Sequence, residues 1–197
     1  MDKAAQRKAR FAKPASTPGL VSRGDAVLSK AEQETLFEQV KASPTPYKVR
    51  SLREAVIASG PSEFGSEVLQ FSVKYAIDSQ EIATLKSSLS YLLTNVHPSY
   101  PLENPQYFQS LYLIALSFHD LEDAASHLDG SSTLRAYLQA YATRDIARWV
   151  AVIKGEKDKT RQKLMLTQKK LFIDQARKLS VAYKKDGTWI EELLEFQ

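Results

Sequence analysis

Three polar residues in the middle of the chain have the spacing of a metal site on a helix. His119, Asp123 and His127 follow one another at intervals of four residues, so on a continuous helix they would lie along one face. Imidazole and carboxylate groups on successive turns can reach a single divalent cation. The same spacing is also typical of the exposed polar side of a short helix. We predict an exposed polar face here and no metal site.

Motifs that carry out catalysis are absent from the sequence. It contains no glycine-rich phosphate loop, no nucleophile-elbow pentapeptide and no His-Glu-x-x-His zinc motif. No cysteine is present, which excludes a thiol nucleophile, a cysteine-based zinc site and a disulfide framework. We therefore expect a protein that is not an enzyme and that needs no cofactor.

A basic run near the C-terminus is the strongest surface feature. Lys154 to Lys185 contains eleven Lys or Arg residues against three Asp or Glu. Apolar residues recur there in steps of three and four, which predicts one long basic helix, followed by a tight turn and a short closing helix. Five cations lie close together on a helical wheel: Lys159, Lys163, Lys170, Arg177 and Lys184. Such a stripe suits nucleic-acid phosphates or an acidic protein surface, but it is also typical of a solvated helix face.

The closing helix is the candidate surface for contact with another protein. A capping box at 188–191 predicts its start. Its apolar residues are one aromatic and three aliphatic side chains: Trp189, Ile190, Leu193 and Leu194. Tryptophan is enriched at the centres of interfaces, and the sequence leaves open whether Trp189 lies in an interface or in the core. Trp149, by contrast, is assigned to the core.

Charge and composition divide the chain into three parts. Residues 1–28 are rich in Lys, Arg, Ala, Ser and Pro, which predicts a disordered basic tail, either solvated or touching a partner as a flexible arm. Residues 29–153 form an acidic helical-repeat body, and a capping box from Ser29 to Glu32 predicts the start of its first helix. Residues 154–197 hold the basic helix and the closing helix. No run is apolar and long enough to cross a membrane, and no secretory signal is recognisable. We expect a protein of the cytoplasm, the nucleus or both, which does not bind membranes.

The body shows helical periodicity throughout and no strict alternation of the kind found in half-buried strands. It reads as helices of about 10 to 17 residues joined by short loops. We predict an all-α fold of stacked antiparallel helical hairpins, a degenerate tetratricopeptide-like array, with the long basic helix near its end. The helix that begins at Asn104-Pro105 is apolar around most of its circumference and should lie at the centre of the core.

Four segments resemble the PCI family, whose members are helical-repeat and winged-helix subunits of the proteasome lid, the signalosome, translation initiation factor 3 and messenger-RNA export scaffolds. They are EVLQFSVKYAI at 67–77, YFQSLYLIAL with HDL at 107–121, LQAYATRDIARW at 138–149, and IDQARKLSVAY with TWIEELLEF at 173–196. The printed sequence ends at Gln197, before the wing strands of the family, so functions of the wing are not implied.

The resemblance implies a non-enzymatic scaffold or adaptor subunit of a multi-protein complex, which binds other subunits helix on helix. The alternative is a nucleic-acid-associated helical protein that uses the basic 154–185 segment. Such a protein would contact the backbone of RNA without reading its sequence, because few aromatic residues in this segment are available to stack on bases.

Overall fold

The computed structural model describes residues 28–128 and 132–183, and within them all regular structure is helical. The α-helices are α1 Lys30–Ala42, α2 Pro46–Ser59, α3 Glu63–Asp78, α4 Ile82–Tyr91, α5 Pro105–Ser117, α6 Leu121–Ser126, α7 Ser132–Thr143, α8 Ile146–Gly155, α9 Lys159–Leu166 and α10 Lys169–Tyr183. A π-helical turn, Leu92–Val96, continues α4. The predicted all-α array is confirmed. Residues 1–27 of the predicted tail lie outside the described residues.

Polar side chains at the first turns explain where the helices begin. Ser29 opens α1 with a reciprocal capping box: its hydroxyl accepts from the Glu32 N–H, and its own N–H donates to the Glu32 carboxylate at 2.7 Å. The Asn104 side chain accepts from the Tyr107 N–H at 3.1 Å, with Pro105 as the first residue of α5. Both starts agree with the sequence prediction.

Helix α5 lies at the centre of the array. It contacts α4, α6, α7 and α9, so helices surround it on most sides. Leu111, Leu113 and Ile114 are fully buried, whereas Tyr107 and Phe108 in its first turns are half-buried. The predicted central position is therefore confirmed, although full burial begins only at Leu111 and Tyr112 remains half-buried.

The first three helices form a smaller core of their own. Helix α1 packs on α2, and α2 packs on α3. Phe37 lies between Phe64 and Phe71 of α3, with its ring centroid 5.7 Å from each and near-perpendicular planes. Such edge-to-face contacts are a favoured aromatic geometry. The N-terminal end of the array is thus joined to the rest through α3.

The basic segment is two helices rather than the single continuous helix that the sequence predicts. Helix α9 turns back to contact α3, α5 and α8, and a two-residue turn at 167–168 separates it from α10. Leu164 and Met165 of α9 and Phe172 and Ala176 of α10 belong to the same buried cluster as the centre of the body. Both helices therefore pack on the body through their apolar residues, α10 mainly through Phe172 and Ala176.

Candidate interaction surface

At the turn between α9 and α10, one carbonyl group accepts two hydrogen bonds from the same residue. The Thr167 hydroxyl donates to the Leu164 carbonyl at 2.7 Å, and the Thr167 N–H donates to the same oxygen at 3.1 Å. The Gln168 N–H likewise reaches back only three residues, to Met165 at 3.3 Å. Hydrogen bonds that reach back three residues, where an α-helix reaches back four, tighten the backbone and end the regular α-helix. The two helices can thereby follow the curvature of the core, each burying its own apolar residues.

An aromatic stack holds α10 on the body. The ring of Phe172 lies 4.5 Å from that of Trp149, with the planes 17° apart, and 6.3 Å from Tyr141. Phe172 and Trp149 are both fully buried, which confirms the assignment of Trp149 to the core. Because Phe172 faces inward, its ring is not available to stack on nucleic-acid bases.

The outer sides of α9 and α10 carry the cations of the predicted stripe. Residues 159–183 hold seven Lys or Arg against one Asp. Lys159, Lys163, Lys170 and Arg177 are all exposed. Lys184, the fifth member of the stripe, lies outside the described residues.

Two stripe residues already have carboxylate partners within the chain. Lys163 Nζ lies 2.5 Å from Asp78 Oδ1, at the end of α3, and Arg177 Nη1 lies 3.6 Å from Asp174 Oδ1, one turn earlier on α10. Lys159 donates to the Gln162 side chain at 3.4 Å. Among the described residues, no hydrogen bond or ion pair involves Lys170. The stripe is therefore weaker as a source of positive potential than its sequence suggests, with Lys159 and Lys170 as the cations without a carboxylate partner.

A further cation of α9 points inward and fixes the connection from α8. Arg161 Nη2 lies 3.0 Å from Oε1 of Glu156, whose side chain is 4% exposed. The same carboxylate oxygen accepts from the Asp158 N–H at 2.9 Å, and Asp158 caps α9 by accepting from the Arg161 N–H at 2.7 Å. The sequence pattern Glu-x-Asp-x-x-Arg signals the cap but not the buried ion pair. This network determines the direction in which α9 leaves α8.

The predicted protein-binding residues cannot be placed on this surface. Trp189, Ile190, Leu193 and Leu194 lie outside the described residues, as does the capping box before them. The last described helix does expose one large aliphatic side chain, because Val181 of α10 is 80% exposed. The outer side of α10 thus combines cations with an exposed valine.

The three residues with metal-site spacing do not share one helical face. Helix α6 begins at Leu121 and its C-cap is His127, so His119 precedes the helix. Within residues 28–128 and 132–183, no group of three His, Cys, Asp or Glu side chains is arranged to hold a metal ion. The exposed polar character of the segment agrees with the sequence prediction.

A serine, a histidine and an aspartate do meet at the end of α6. His127 Nδ1 lies 3.0 Å from Ser126 Oγ and 3.3 Å from Asp123 Oδ1. In a catalytic triad the hydroxyl and the carboxylate bond to different imidazole nitrogens. One nitrogen accepts the hydroxyl proton, and the carboxylate at the other nitrogen stabilises the charged ring that results. Here both neighbours approach the same nitrogen. The trio caps the helix end and lacks the geometry of a proton relay.

No helix within the described ranges is both long and apolar enough to cross a membrane. No protein-family model, curated protein or solved structure matches the chain. The similarity to PCI subunits therefore stays a prediction, and functional inference depends on the residues and their geometry.

Proposed function

We propose that this protein is a non-enzymatic, PCI-like scaffold or adaptor subunit that binds other protein subunits helix on helix, in the cytoplasm, the nucleus or both. The observation that best supports this proposal is the position of α10. Its inner side is held on the core by Phe172 and Ala176, whereas its outer side leaves Val181 and exposed cations accessible. A helix at the edge of a stacked array has a neighbour on one side only, which leaves the other side free for a partner.

In this proposal, the closing segment that the sequence predicts after α10 supplies the apolar part of the docking surface. Trp189, Ile190, Leu193 and Leu194 supply the large apolar side chains that dominate binding energy in protein interfaces. Cations of α10 at the rim favour a partner with acidic side chains, because complementary charge steers encounter and sets orientation. An apolar centre with a basic rim is the arrangement that this proposal requires.

The second candidate is backbone contact with nucleic acid through α9 and α10. The observation in its favour is the absence of a carboxylate partner for Lys159 and Lys170 among the described residues. Against it, Lys163 and Arg177 are partly neutralised, and Phe172 is buried. Phosphate contact needs several free cations on one face, so the structure supports the scaffold proposal better.

One pull-down at two salt concentrations separates the two functions. Trp189→Ala should weaken capture of protein partners at both concentrations while leaving the melting temperature nearly unchanged. Charge reversal of Lys163, Lys170 and Arg177 should reduce protein capture only slightly and mainly at the lower salt concentration, because rim charges act chiefly on the association rate and are screened by salt. Reversal of three exposed body cations, Lys74, Arg135 and Arg148, is the matched control for total charge.

The nucleic-acid candidate is tested with single-stranded poly-uridine RNA and the same variants. If α9 and α10 bind RNA, the logarithm of the association constant should fall linearly with the logarithm of the salt concentration. Lys170→Glu alone should weaken binding more than Lys163→Glu. The scaffold proposal is wrong if Trp189→Ala retains every protein partner while the stripe reversal loses them all. In that outcome the basic surface would be the binding surface.

A further inference from the structure

The connection between α1 and α2 is the longest uninterrupted exposed stretch of the described chain. Every residue from 41 to 47 is exposed, and Tyr47 retains 78% of its accessible surface. The stretch and the residue after it read Lys-Ala-Ser-Pro-Thr-Pro-Tyr-Lys. Two hydroxyl side chains, those of Ser43 and Thr45, are thus presented to solvent, each directly before a proline.

The residues around Thr45 match what proline-directed protein kinases select. These enzymes require proline directly after the hydroxyl residue and prefer a basic residue at the third position after it. Pro46 and Lys48 occupy these positions for Thr45. A proline suits an apolar pocket there because it has no backbone N–H that would be left without a partner. Ser43 meets the first requirement only, because its third following residue is Pro46.

The local backbone is also suited to modification at Thr45. Its φ of −128° and ψ of 150° are extended, which is the conformation in which protein kinases hold their substrates. The hydroxyl accepts from the Lys48 N–H at 3.4 Å, a long and therefore weak hydrogen bond. Pro46 to Lys48 form the first turn of α2 and precede Val49, which is 3% exposed. A kinase can therefore unwind this turn without removing Val49 from the core.

We propose that Thr45 is a phosphorylation site for a proline-directed protein kinase, with ATP as the phosphoryl donor. Thr45 Oγ1 attacks the γ-phosphorus of ATP, a new O–P bond forms, and the bond between the β–γ bridging oxygen and the γ-phosphorus breaks. ADP leaves with that bridging oxygen, and the hydroxyl proton passes to the catalytic base of the kinase. This site does not depend on the scaffold proposal.

The folded chain would accommodate the added charge. Thr45 is the N-cap of α2, where first-turn N–H groups and the positive end of the helix dipole stabilise an anion. The first turn of α2 contains no acidic residue, whereas Glu32 and Glu63 already occupy the first turns of α1 and α3. Phosphorylation should therefore raise the melting temperature of the chain.

The test uses the full chain, a purified cyclin-dependent kinase with its cyclin, and ATP. The chain carries Thr17→Ala in this test, because Thr17 is the other threonine that directly precedes a proline. Intact-mass measurement should then show one added phosphoryl group, and peptide fragmentation should place it on Thr45. Thr45→Ala should abolish this modification, Thr45→Ser should retain it, and Lys48→Ala should slow it. Ser43→Ala is the matched control and should have no effect. Circular dichroism melting verifies that each variant is folded.

A synthetic peptide of residues 38–52 provides the reference for an unfolded substrate. Modification of both the peptide and the folded chain at Thr45 supports the proposal. Modification of the peptide alone would mean that α2 shields Thr45, and the proposal would be wrong. It would also be wrong if neither substrate were modified, or if the Thr45→Ala chain incorporated phosphate to the same extent at Ser43 or elsewhere.

Discussion

Helices α5 and α10 both bury large apolar side chains, but their surroundings differ. Helix α5 is enclosed by α4, α6, α7 and α9, and Leu111 at its middle is 1% exposed. Helix α10 buries Phe172 and Ala176, yet Val181, five residues after Ala176, is 80% exposed. A central helix can therefore open only with the whole fold, whereas an edge helix can open separately. The centre of the array provides most of the stability, and its C-terminal edge provides the surface that is accessible to a partner.

The largest expected effect is at the centre. Leu111→Ala should lower the free energy of unfolding by about 2–5 kcal/mol, the usual cost of a cavity at a fully buried leucine. Urea denaturation measures this cost as a shift of the midpoint. Leu179→Ala, at a half-buried leucine of α10, is the matched control and should cost less. A cost at Leu111 below about 0.5 kcal/mol, as at a surface position, would contradict the central position of α5.

Phe172→Ala tests whether the edge opens independently. Truncation of a buried aromatic residue usually costs about 3–5 kcal/mol, but the global unfolding energy should fall by less if α10 detaches while the body stays folded. Amide hydrogen exchange should then accelerate in 169–183 and remain slow in α5. In a Trp189→Phe background, Trp149 fluorescence should shift to longer wavelength as the stack is lost. Equal acceleration of exchange in both helices would show that centre and edge unfold as one unit.

The buried ion pair at the start of α9 should have the next effect. Glu156→Ala removes the acceptor of the Arg161 guanidinium and of the Asp158 N–H, and hydrogen bonds to a charged group contribute about 1.5–3 kcal/mol. The free energy of unfolding should decrease by an amount in that range, measured by urea denaturation. Glu156→Gln, which keeps one acceptor oxygen, should recover part of the loss. An unchanged midpoint in Glu156→Ala would mean that this network does not stabilise the junction.

The smallest expected effect concerns the ion pair between α9 and the end of α3. Lys163 and Asp78 are both about half exposed, and pairs of this kind contribute no more than about 1 kcal/mol. Asp78→Asn should therefore destabilise the chain slightly at low salt, and the difference should disappear at high salt because exposed charges are screened. A loss that persists at high salt would indicate that the contact acts through packing.

Local signals in the sequence predicted the helix starts well. Ser29 with Glu32, and Asn104 with Pro105, act within three residues of each other, so their geometry depends little on the rest of the fold. The apolar residues that flank Leu111 in the sequence likewise predicted a central helix. The break at Thr167 could not be predicted in this way, since the turn contains neither proline nor glycine and threonine also occurs inside helices.

The candidate surface likewise combines features that the sequence predicted with features that it did not. The sequence shows the spacing of the four stripe cations, Lys159, Lys163, Lys170 and Arg177. It shows only some of the carboxylates with which they pair. Asp174 lies on the same helix as Arg177, whereas Asp78 is 85 residues from Lys163 in sequence. Contacts across such a separation depend on how the helices stack, and a helical wheel drawn for one segment does not contain that information.

The sequence by itself determined the helical class, the starts of α1 and α5, the buried position of Trp149 and the surplus of cations near the C-terminus. These properties arise from interactions between residues three or four positions apart, or from composition. Only the tertiary structure decided that the basic segment bends into α9 and α10, that Glu156 is buried against Arg161, and that Asp78 neutralises Lys163. The physical reason is that packing around one core sets helix directions and brings distant charges within a few ångströms of each other.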